Sequence, residues 1–230
     1  MDLDATKERL IVTAEQLFAE HGLSGVTVRQ INEAAGQRNT SAIYYHFGCK
    51  ARLIGAIFAY RLDAYEQVLK RMWTTLERSG GPLGVREIIK TLYAPQHDIL
   101  FDPGRAYHLR FVAQHVTDPQ ALGVPFETFF QLPTVQIAMN RLRTLTTHVP
   151  ETVFMHRMRS YMFMSVTTSA DWVRALYDTP VRMTAEEVEL AYEALIDGAT
   201  ALIAGPISAA TAQRLAQLAE VEPVSQSLSA

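Results

Sequence analysis

Residues 26–53 read VTVRQINEAAGQRNTSAIYYHFGCKARL, and this stretch decides the fold. Thr27, followed three residues later by Gln30, is typical of the start of a helix, because each side chain can hydrogen-bond the other residue's backbone N–H group. The helix is expected to be short, since Gly36 readily adopts the positive φ that a tight turn requires. The stretch therefore predicts one short helix that ends in a turn.

A polar turn is predicted at Gln37-Arg38-Asn39, and a second short helix is predicted after it, from Thr40 to Tyr45. Ile43 is expected to anchor this helix to the protein, while the small residues at its start let the backbone approach base edges in a DNA major groove about 12 Å wide. Gly48 ends the helix, and a long helix is predicted to begin near Lys50. Two short helices around a glycine turn predict a helix-turn-helix.

The remainder of the sequence also shows helical periodicity, with breaks at glycine and proline and no strand-like alternation. We therefore predict an all-α fold with a three-helix, helix-turn-helix DNA-binding domain at 1–49, a larger helical ligand-binding and dimerisation domain at 50–221, and a flexible tail at 222–230. Pro133 is expected to kink or split its helix. Outside the short pair, helices are predicted at 4–21, 50–77, 83–94, 104–116, 125–148, 151–177, 184–204 and 207–219.

Composition indicates a globular protein of ordinary polarity. The chain has 230 residues, 48% of them hydrophobic, and a formal net charge of -3, so bulk charge does not indicate nucleic-acid binding. The single cysteine fits a reducing compartment. No basic, apolar signal sequence opens the chain, and no apolar run approaches the roughly 18 residues of a membrane span. We expect a cytoplasmic protein without membrane contact.

The N-terminal segment from Thr6 to Leu53 resembles the TetR family of bacterial repressors. The resemblance implies a repressor that binds double-stranded operator DNA as a homodimer and responds to a small molecule. The matching residues are Ala14-Glu15-Gln16-Leu17-Phe18, His21-Gly22, Val26-Thr27-Val28-Arg29-Gln30-Ile31, Ala34-Ala35-Gly36 and Ile43-Tyr44-Tyr45-His46-Phe47, followed by Lys50 and Leu53.

The resemblance also implies roles for single residues at the DNA. Contacts to phosphates, or in part to a base, are implied for Thr27, Arg29, Tyr44, Tyr45 and Lys50.

The turn departs from the family pattern, because the spacing from Gly36 to the first tyrosine is one residue longer than usual. The extra residue falls within 37–39, next to the residues that we expect at the bases. Asn39 has a second interpretation, as the N-cap of the following helix. The predicted base contacts are Arg38, Asn39, Thr40 and Ser41.

For the C-terminal helices the resemblance implies an effector cavity and a dimer interface built by the last two long helices. A stripe of Val188, Ala191, Leu195, Ala199 and Leu202 fits such an interface or, alternatively, an internal core helix. Aromatic and methionine side chains, which adapt to irregular apolar ligands, predict an apolar or aromatic effector, although plain core packing is the alternative for each residue. The predicted ligand contacts are His108, Phe111, His115, Phe130, Met158, Tyr161, Met162 and Trp172.

Two alternatives to this function are an enzyme and a regulator without an effector. An enzyme is not expected, because the sequence has no nucleophile motif, metalloprotease motif or glycine-rich phosphate loop, so we predict no catalytic residues and no cofactor. No metal site is predicted, since no His, Cys and carboxylate cluster has ligand spacing. Cys49 at the start of a helix suits a redox sensor, but no partner cysteine exists. A DNA-binding regulator without any effector stays an alternative.

Overall fold

The computed structural model describes residues 4–37, 39, 41–117, 127–180 and 182–226. Within these ranges every regular element is a helix, which confirms the predicted all-α fold. The helices are α1 Ala5–His21, α2 Val28–Ala34, α3 Ala42–Phe47, α4 Lys50–Arg78, α5 Val85–Leu100, α6 Pro103–Thr117, α7 Glu127–Phe130, α8 Pro133–Leu145, α9 Glu151–Tyr177, α10 Ala185–Ala204 and α11 Ala209–Gln226.

The first three helices form as their local sequence predicts. The Thr27 hydroxyl accepts a hydrogen bond from the Gln30 N–H, and the Gln30 side chain accepts one from the Thr27 N–H, which completes the capping box of α2. Gly36 has φ +66° in the turn that follows. However, α3 begins at Ala42 and not at the predicted Thr40, since the Ala42 N–H donates to Asn39 O in the turn and Ser41 is the N-cap.

A small apolar core holds these helices together and extends beyond them. Phe18 of α1 stacks on Phe111 of α6 with ring centroids 6.2 Å apart, and Ile43 of α3 is fully buried. Leu53 and Ile57 of α4 belong to the same core. The first turns of α4 therefore pack with the N-terminal helices, so the boundary that we expected after residue 49 falls within a shared core.

Proline has different effects in two of the following helices. In α5 the helix continues through Pro95 to Leu100, beyond the predicted end at 94, because Ile99 and Leu100 both bury apolar side chains that outweigh one missing backbone N–H. Pro133 begins α8, where its missing N–H costs nothing, so the predicted run at 125–148 is divided as expected. Residues 118–126 lie outside the described residues.

The second, larger core lies among α4, α5, α6, α8, α9 and α10. Val188 and Ala199 are fully buried within it, so these two members of the predicted dimer stripe belong to the chain's own core. This corrects the interface interpretation for that face of α10, whose periodicity does not distinguish an internal contact from an external one.

The last helix extends farther than predicted. It continues to Gln226, so residues 222–226 of the predicted flexible tail are helical, because the preceding alanine-, glutamine- and leucine-rich sequence favours a helix. Residues 227–230 lie outside the described part. Among the described helices, none alone has the length and apolarity to cross a membrane. Ala185–Ala204 and Ala209–Ala219 meet that criterion only together, across a 51° bend.

Candidate DNA interface and the cavity behind it

The outer face of α3 presents two aromatic hydroxyls. Tyr44 is 57% and Tyr45 is 83% exposed, whereas Ile43 between α3 and the core has no exposed surface. The ring of Tyr45 meets that of His46 edge-on, with centroids 4.9 Å apart. A short helix anchored by one apolar residue, with polar groups directed outward, has the form that DNA-reading helices need.

The lengthened turn is closed by Asn39. Its side-chain oxygen accepts a hydrogen bond of 2.9 Å from the Ser41 N–H, and its backbone oxygen accepts one from Ala42 N. These bonds hold the turn together, but the N-cap of α3 is Ser41 and not Asn39, so the structure does not confirm the capping interpretation of Asn39. Ser41 is exposed, and its base contact, like that of Asn39, stays a prediction; Arg38 and Thr40 lie outside the described residues.

Two predicted contact residues lie at the start of α2, and only Arg29 has a side chain that is available for a new partner. The Thr27 hydroxyl is engaged in the capping box, so its role is to position the helix and its backbone. Arg29 is 80% exposed and pairs with Glu33, one turn away, at 2.7 Å. An exposed pair of this kind contributes little to stability. Arg29 can therefore exchange Glu33 for a phosphate at small cost.

Lys50 does not project freely as the phosphate contact that we predicted. Its Nζ donates to the backbone oxygens of Leu23 at 2.5 Å and Val26 at 2.6 Å, and it lies 5.3 Å from the centre of the Phe18 ring. Partial burial lowers the pKa of Lys50. The side chain ties the loop between α1 and α2 to the start of α4, because those carbonyl groups have no helical partners. A direct phosphate bond would use its third N–H.

Replacing Lys50 with methionine is expected to lower the free energy of unfolding by about 1–3 kcal/mol, because two carbonyl groups lose a charged donor. Lys70→Met is the matched control, since Lys70 is exposed on the same helix. Thermal unfolding followed by circular dichroism measures both. Equal melting temperatures for the two variants would show that Lys50 does not support the loop.

Behind the N-terminal helices, a cavity lies among α4, α5, α6, α7 and α9. The centres of water molecules can occupy about 120 Å³ of it, which is comparable with cavities of about 150 Å³ that hold one benzene-sized molecule. Its wall is mostly apolar, and its tyrosine hydroxyls are engaged internally: Tyr65 donates to Leu92 O, and Tyr161 donates to Ile89 O at 3.3 Å. Gln96 Oε1 is buried there without a hydrogen-bond partner among the described residues.

Half of the predicted ligand contacts line this cavity: His108, His115, Tyr161 and Met162. The other four do not. Phe111 packs against Phe18 and Phe58 in the N-terminal core, and Met158 and Trp172 are buried in the larger core. For α7, Phe129 and not Phe130 lines the cavity. Each of these aromatic and methionine residues is apolar, so composition alone does not distinguish a core wall from a cavity wall.

A buried charge cluster joins this cavity to α1. Glu15 has no exposed surface, and both its oxygens accept hydrogen bonds from Arg61 Nε of α4, at 3.0 and 2.9 Å. His108 Nδ1 of α6 donates to Glu15 Oε1 at 2.6 Å, and Arg61 Nη2 donates to the Tyr107 hydroxyl at 3.2 Å. Arg61 and His108 both line the cavity.

We did not predict Arg61 or Glu15 as site residues. A signal existed in α1, because Glu15 occupies the face that Ile11, Ala14 and Phe18 bury, where an ionised side chain is rare without a partner. The sequence does not identify that partner, since Arg61 and His108 follow 46 and 93 residues later.

Stability is expected to fall in acid because of this cluster. Burial raises the pKa of Glu15, but hydrogen bonds and charges from His108 and Arg61 outweigh burial and hold the pKa below its ordinary 4.5. The stabilising contribution is therefore complete above pH 4.5 and is lost as pH falls through 4.5 towards the lower folded value. Urea unfolding at neutral pH and at about pH 3.5 measures this loss. Glu15→Gln should reduce it and Glu20→Gln should not; equal losses in both would contradict the assignment.

Two of the sequence predictions concern a cysteine and a metal site. Cys49 is exposed at the start of α4, and its side chain makes no capping hydrogen bond. Within the described ranges, no three His, Cys, Asp or Glu side chains are grouped so that they could hold a metal ion.

Comparison with known proteins gives the same picture for the N-terminal residues. Residues 10–57 match the family of bacterial regulatory proteins, tetR family. Over 52 residues the chain is 40% identical to the HTH-type transcriptional repressor AcnR of Corynebacterium efficiens, a match that covers 23% of this chain and 27% of that repressor. AcnR of Corynebacterium diphtheriae is 36% identical over 56 residues, or 24% of this chain and 29% of that protein. The chain thus aligns with little more than a quarter of the length of these curated relatives.

A solved structure extends the comparison to the whole fold. A TetR family transcription regulator from Marinobacter aquaeolei superimposes with a TM-score of 0.53 and 20% identity, over 84% of this chain and 94% of the other. The family is described as regulatory and the curated relatives are named repressors, in agreement with the prediction that the protein is not an enzyme. The N-terminal residues are thus similar to the bacterial regulatory proteins, tetR family, and the fold as a whole is similar to that of a solved TetR family structure.

Proposed function

We propose that the protein is a homodimeric transcriptional repressor that binds a palindromic operator and leaves it when a small apolar or aromatic effector enters the cavity. The observation that carries this proposal is α3, a short helix anchored by buried Ile43 with Tyr44 and Tyr45 exposed beside it. The curated relatives, which are named repressors, support repression. Because its partner is operator DNA, we place the protein in the cytoplasm.

Dimerisation through α10 and α11 is supported by a second face of α10. Leu190 is 73% exposed, and Ala194, Gly198 and Ala201 are exposed along the same side. Small residues let two helices approach closely, and a Cβ at Gly198 would meet no described atom within 4 Å. A symmetric pair of subunits would hold two α3 helices at the spacing of one DNA turn, roughly 34 Å.

An effector is supported by the position of the cavity. Its wall includes Arg61 and His108, which bind Glu15 of α1, so a molecule inside it would lie beside the attachment of the DNA-binding helices. The unpartnered Gln96 Oε1 offers such a molecule one hydrogen-bond acceptor. A ligand that binds the free and DNA-bound arrangements with different affinity shifts the equilibrium between them.

Selection from random DNA duplexes tests the DNA part of this proposal. We expect the purified protein to enrich a two-fold symmetric sequence with half-sites one helical turn apart. Enrichment of no sequence would contradict sequence-specific binding. An enriched sequence without symmetry would contradict the dimer.

Filling the cavity tests the effector part. Val116→Phe replaces a small side chain of the cavity wall with a phenyl ring, which would fill part of the space. Ile137→Phe is the control at an exposed site of α8. Compounds that raise the melting temperature of the wild type and release its DNA should lose at least about tenfold in potency with Val116→Phe, since the space they need is occupied. DNA affinity without ligand should change less than about twofold. If none of a set of apolar compounds tested by thermal shift releases DNA from the wild type, regulation without an effector is the better description.

A further inference from the structure

Apart from tyrosines, the described ionisable side chains that line the cavity are all basic. Among the described residues that line it, Arg61 is the single permanently charged side chain, and His108 and His115 are the other basic ones. No aspartate or glutamate is part of this described wall. The rest of the wall is mainly aliphatic and aromatic. A ligand that satisfied both parts would have a hydrocarbon body and an acidic group.

The anion that now balances Arg61 lies behind the wall. Glu15 is fully buried, does not line the cavity, and holds Arg61 and His108 through separate hydrogen bonds. With His108 neutral the three side chains sum to zero charge. With His108 protonated they carry two positive charges and one negative charge, and one acid group of a ligand makes the set neutral. An acid in the cavity and Glu15 would thus share the same two donors.

We propose that the effector is a small amphipathic acid whose carboxylate binds Arg61 and His108 in competition with Glu15. This inference rests on the proposed function, in which the cavity is the effector site. The mostly aliphatic and aromatic wall suits the hydrocarbon chain of such an acid, and octanoic acid is a simple probe of this class. Arginine suits this role because its planar fork of N–H donors can bind a carboxylate with two hydrogen bonds.

Competition also explains how a ligand in the cavity would affect the N-terminal helices. Glu15 belongs to α1, Arg61 to α4 and His108 to α6, so the cluster fastens α1 to both neighbouring helices. An acid that takes over a share of these hydrogen bonds weakens the hold on α1. The effect is reciprocal: the contact of Glu15 with Arg61 and His108 weakens binding of the acid by the same free energy by which the acid weakens that contact.

Isothermal titration calorimetry with octanoate and octanamide tests the proposal without DNA. The two probes have the same number of non-hydrogen atoms, and only octanoate is charged. We expect wild-type protein to bind octanoate at least about tenfold more tightly than octanamide, since a charge-assisted bond is replaced by a neutral one. Glu15→Gln should tighten octanoate binding a further tenfold or so and leave octanamide within about twofold, because the competing carboxylate is gone.

His108→Gln is the second variant, in case Glu15→Gln folds poorly; it keeps a donor for Glu15 but carries no charge. It should weaken octanoate about tenfold and octanamide hardly at all. Equal affinity of the two probes for the wild type, no octanoate binding, or an equal effect of Glu15→Gln on both probes would overturn the acid proposal. If DNA selection succeeds and an uncharged compound releases the DNA, the proposed function survives that result. If octanoate binds as expected but no DNA is selected, the proposed function fails while the acid site stands.

Discussion

Replacement of Glu15 with leucine is expected to lower the free energy of unfolding by about 3–5 kcal/mol. Glu15 is completely buried, while Arg61, its closest partner, keeps only 19% of its side chain exposed. Leucine fills part of the volume but accepts no hydrogen bond, so the guanidinium would stay between helices without a counter-charge. A loss of this size corresponds to a fall in melting temperature of roughly 10 °C for a chain of this length.

Calorimetry or urea unfolding measures this effect, and Glu20→Leu is the matched control. Glu20 lies on the same helix, with 43% of its side chain exposed, so its loss should change the free energy of unfolding by less than about 0.5 kcal/mol. If Glu15→Leu and Glu20→Leu unfolded at the same urea concentration, the cluster would contribute nothing to the attachment of α1. The proposed link between the cavity and the N-terminal helices would then lose its physical basis.

The double substitution Tyr44→Ala and Tyr45→Ala is expected to weaken operator binding about a hundredfold or more. Each hydroxyl can donate to a charged phosphate, an interaction of about 1.5–3 kcal/mol, and a dimer would lose two pairs of such contacts. Both rings are largely exposed, so the fold and the melting temperature should change little. Fluorescence anisotropy with the selected duplex measures the loss.

Phe101→Ala supplies the control, because Phe101 is a partly exposed aromatic residue that follows α5. It should leave DNA affinity within about twofold of the wild type. An unchanged affinity in a folded Tyr44 and Tyr45 double variant would move the recognition surface away from α3.

The N-terminal helices were predictable because their signals are local. The capping pair Thr27 and Gln30, the positive φ at Gly36 and the apolar anchor Ile43 each act within a few residues of chain, and all three appear as expected. The start of α3 was less predictable, because the bonds of Asn39 with the following backbone depend on the conformation of a lengthened turn.

The cavity was only half predictable, for a different reason. A methionine or aromatic residue on a buried face is equally suited to a core or to a cavity wall, and the packing of distant helices decides which it joins. Phe111 shows this, since it faces Phe18 of α1 instead of the cavity. Lys50 is a second case: its position at the helix start was predicted, but the carbonyl groups of Leu23 and Val26 that hold it belong to a loop 24–27 residues earlier.

Binding of the selected duplex and of a scrambled duplex, each at two salt concentrations, tests the central claim most directly. We predict that the selected duplex binds at least about a thousandfold more tightly than the scrambled one at physiological salt. Both affinities should fall as salt rises, since phosphate contacts release counterions. Equal affinity for the two sequences, or binding that salt does not change, would contradict the proposal that α3 of this protein reads DNA.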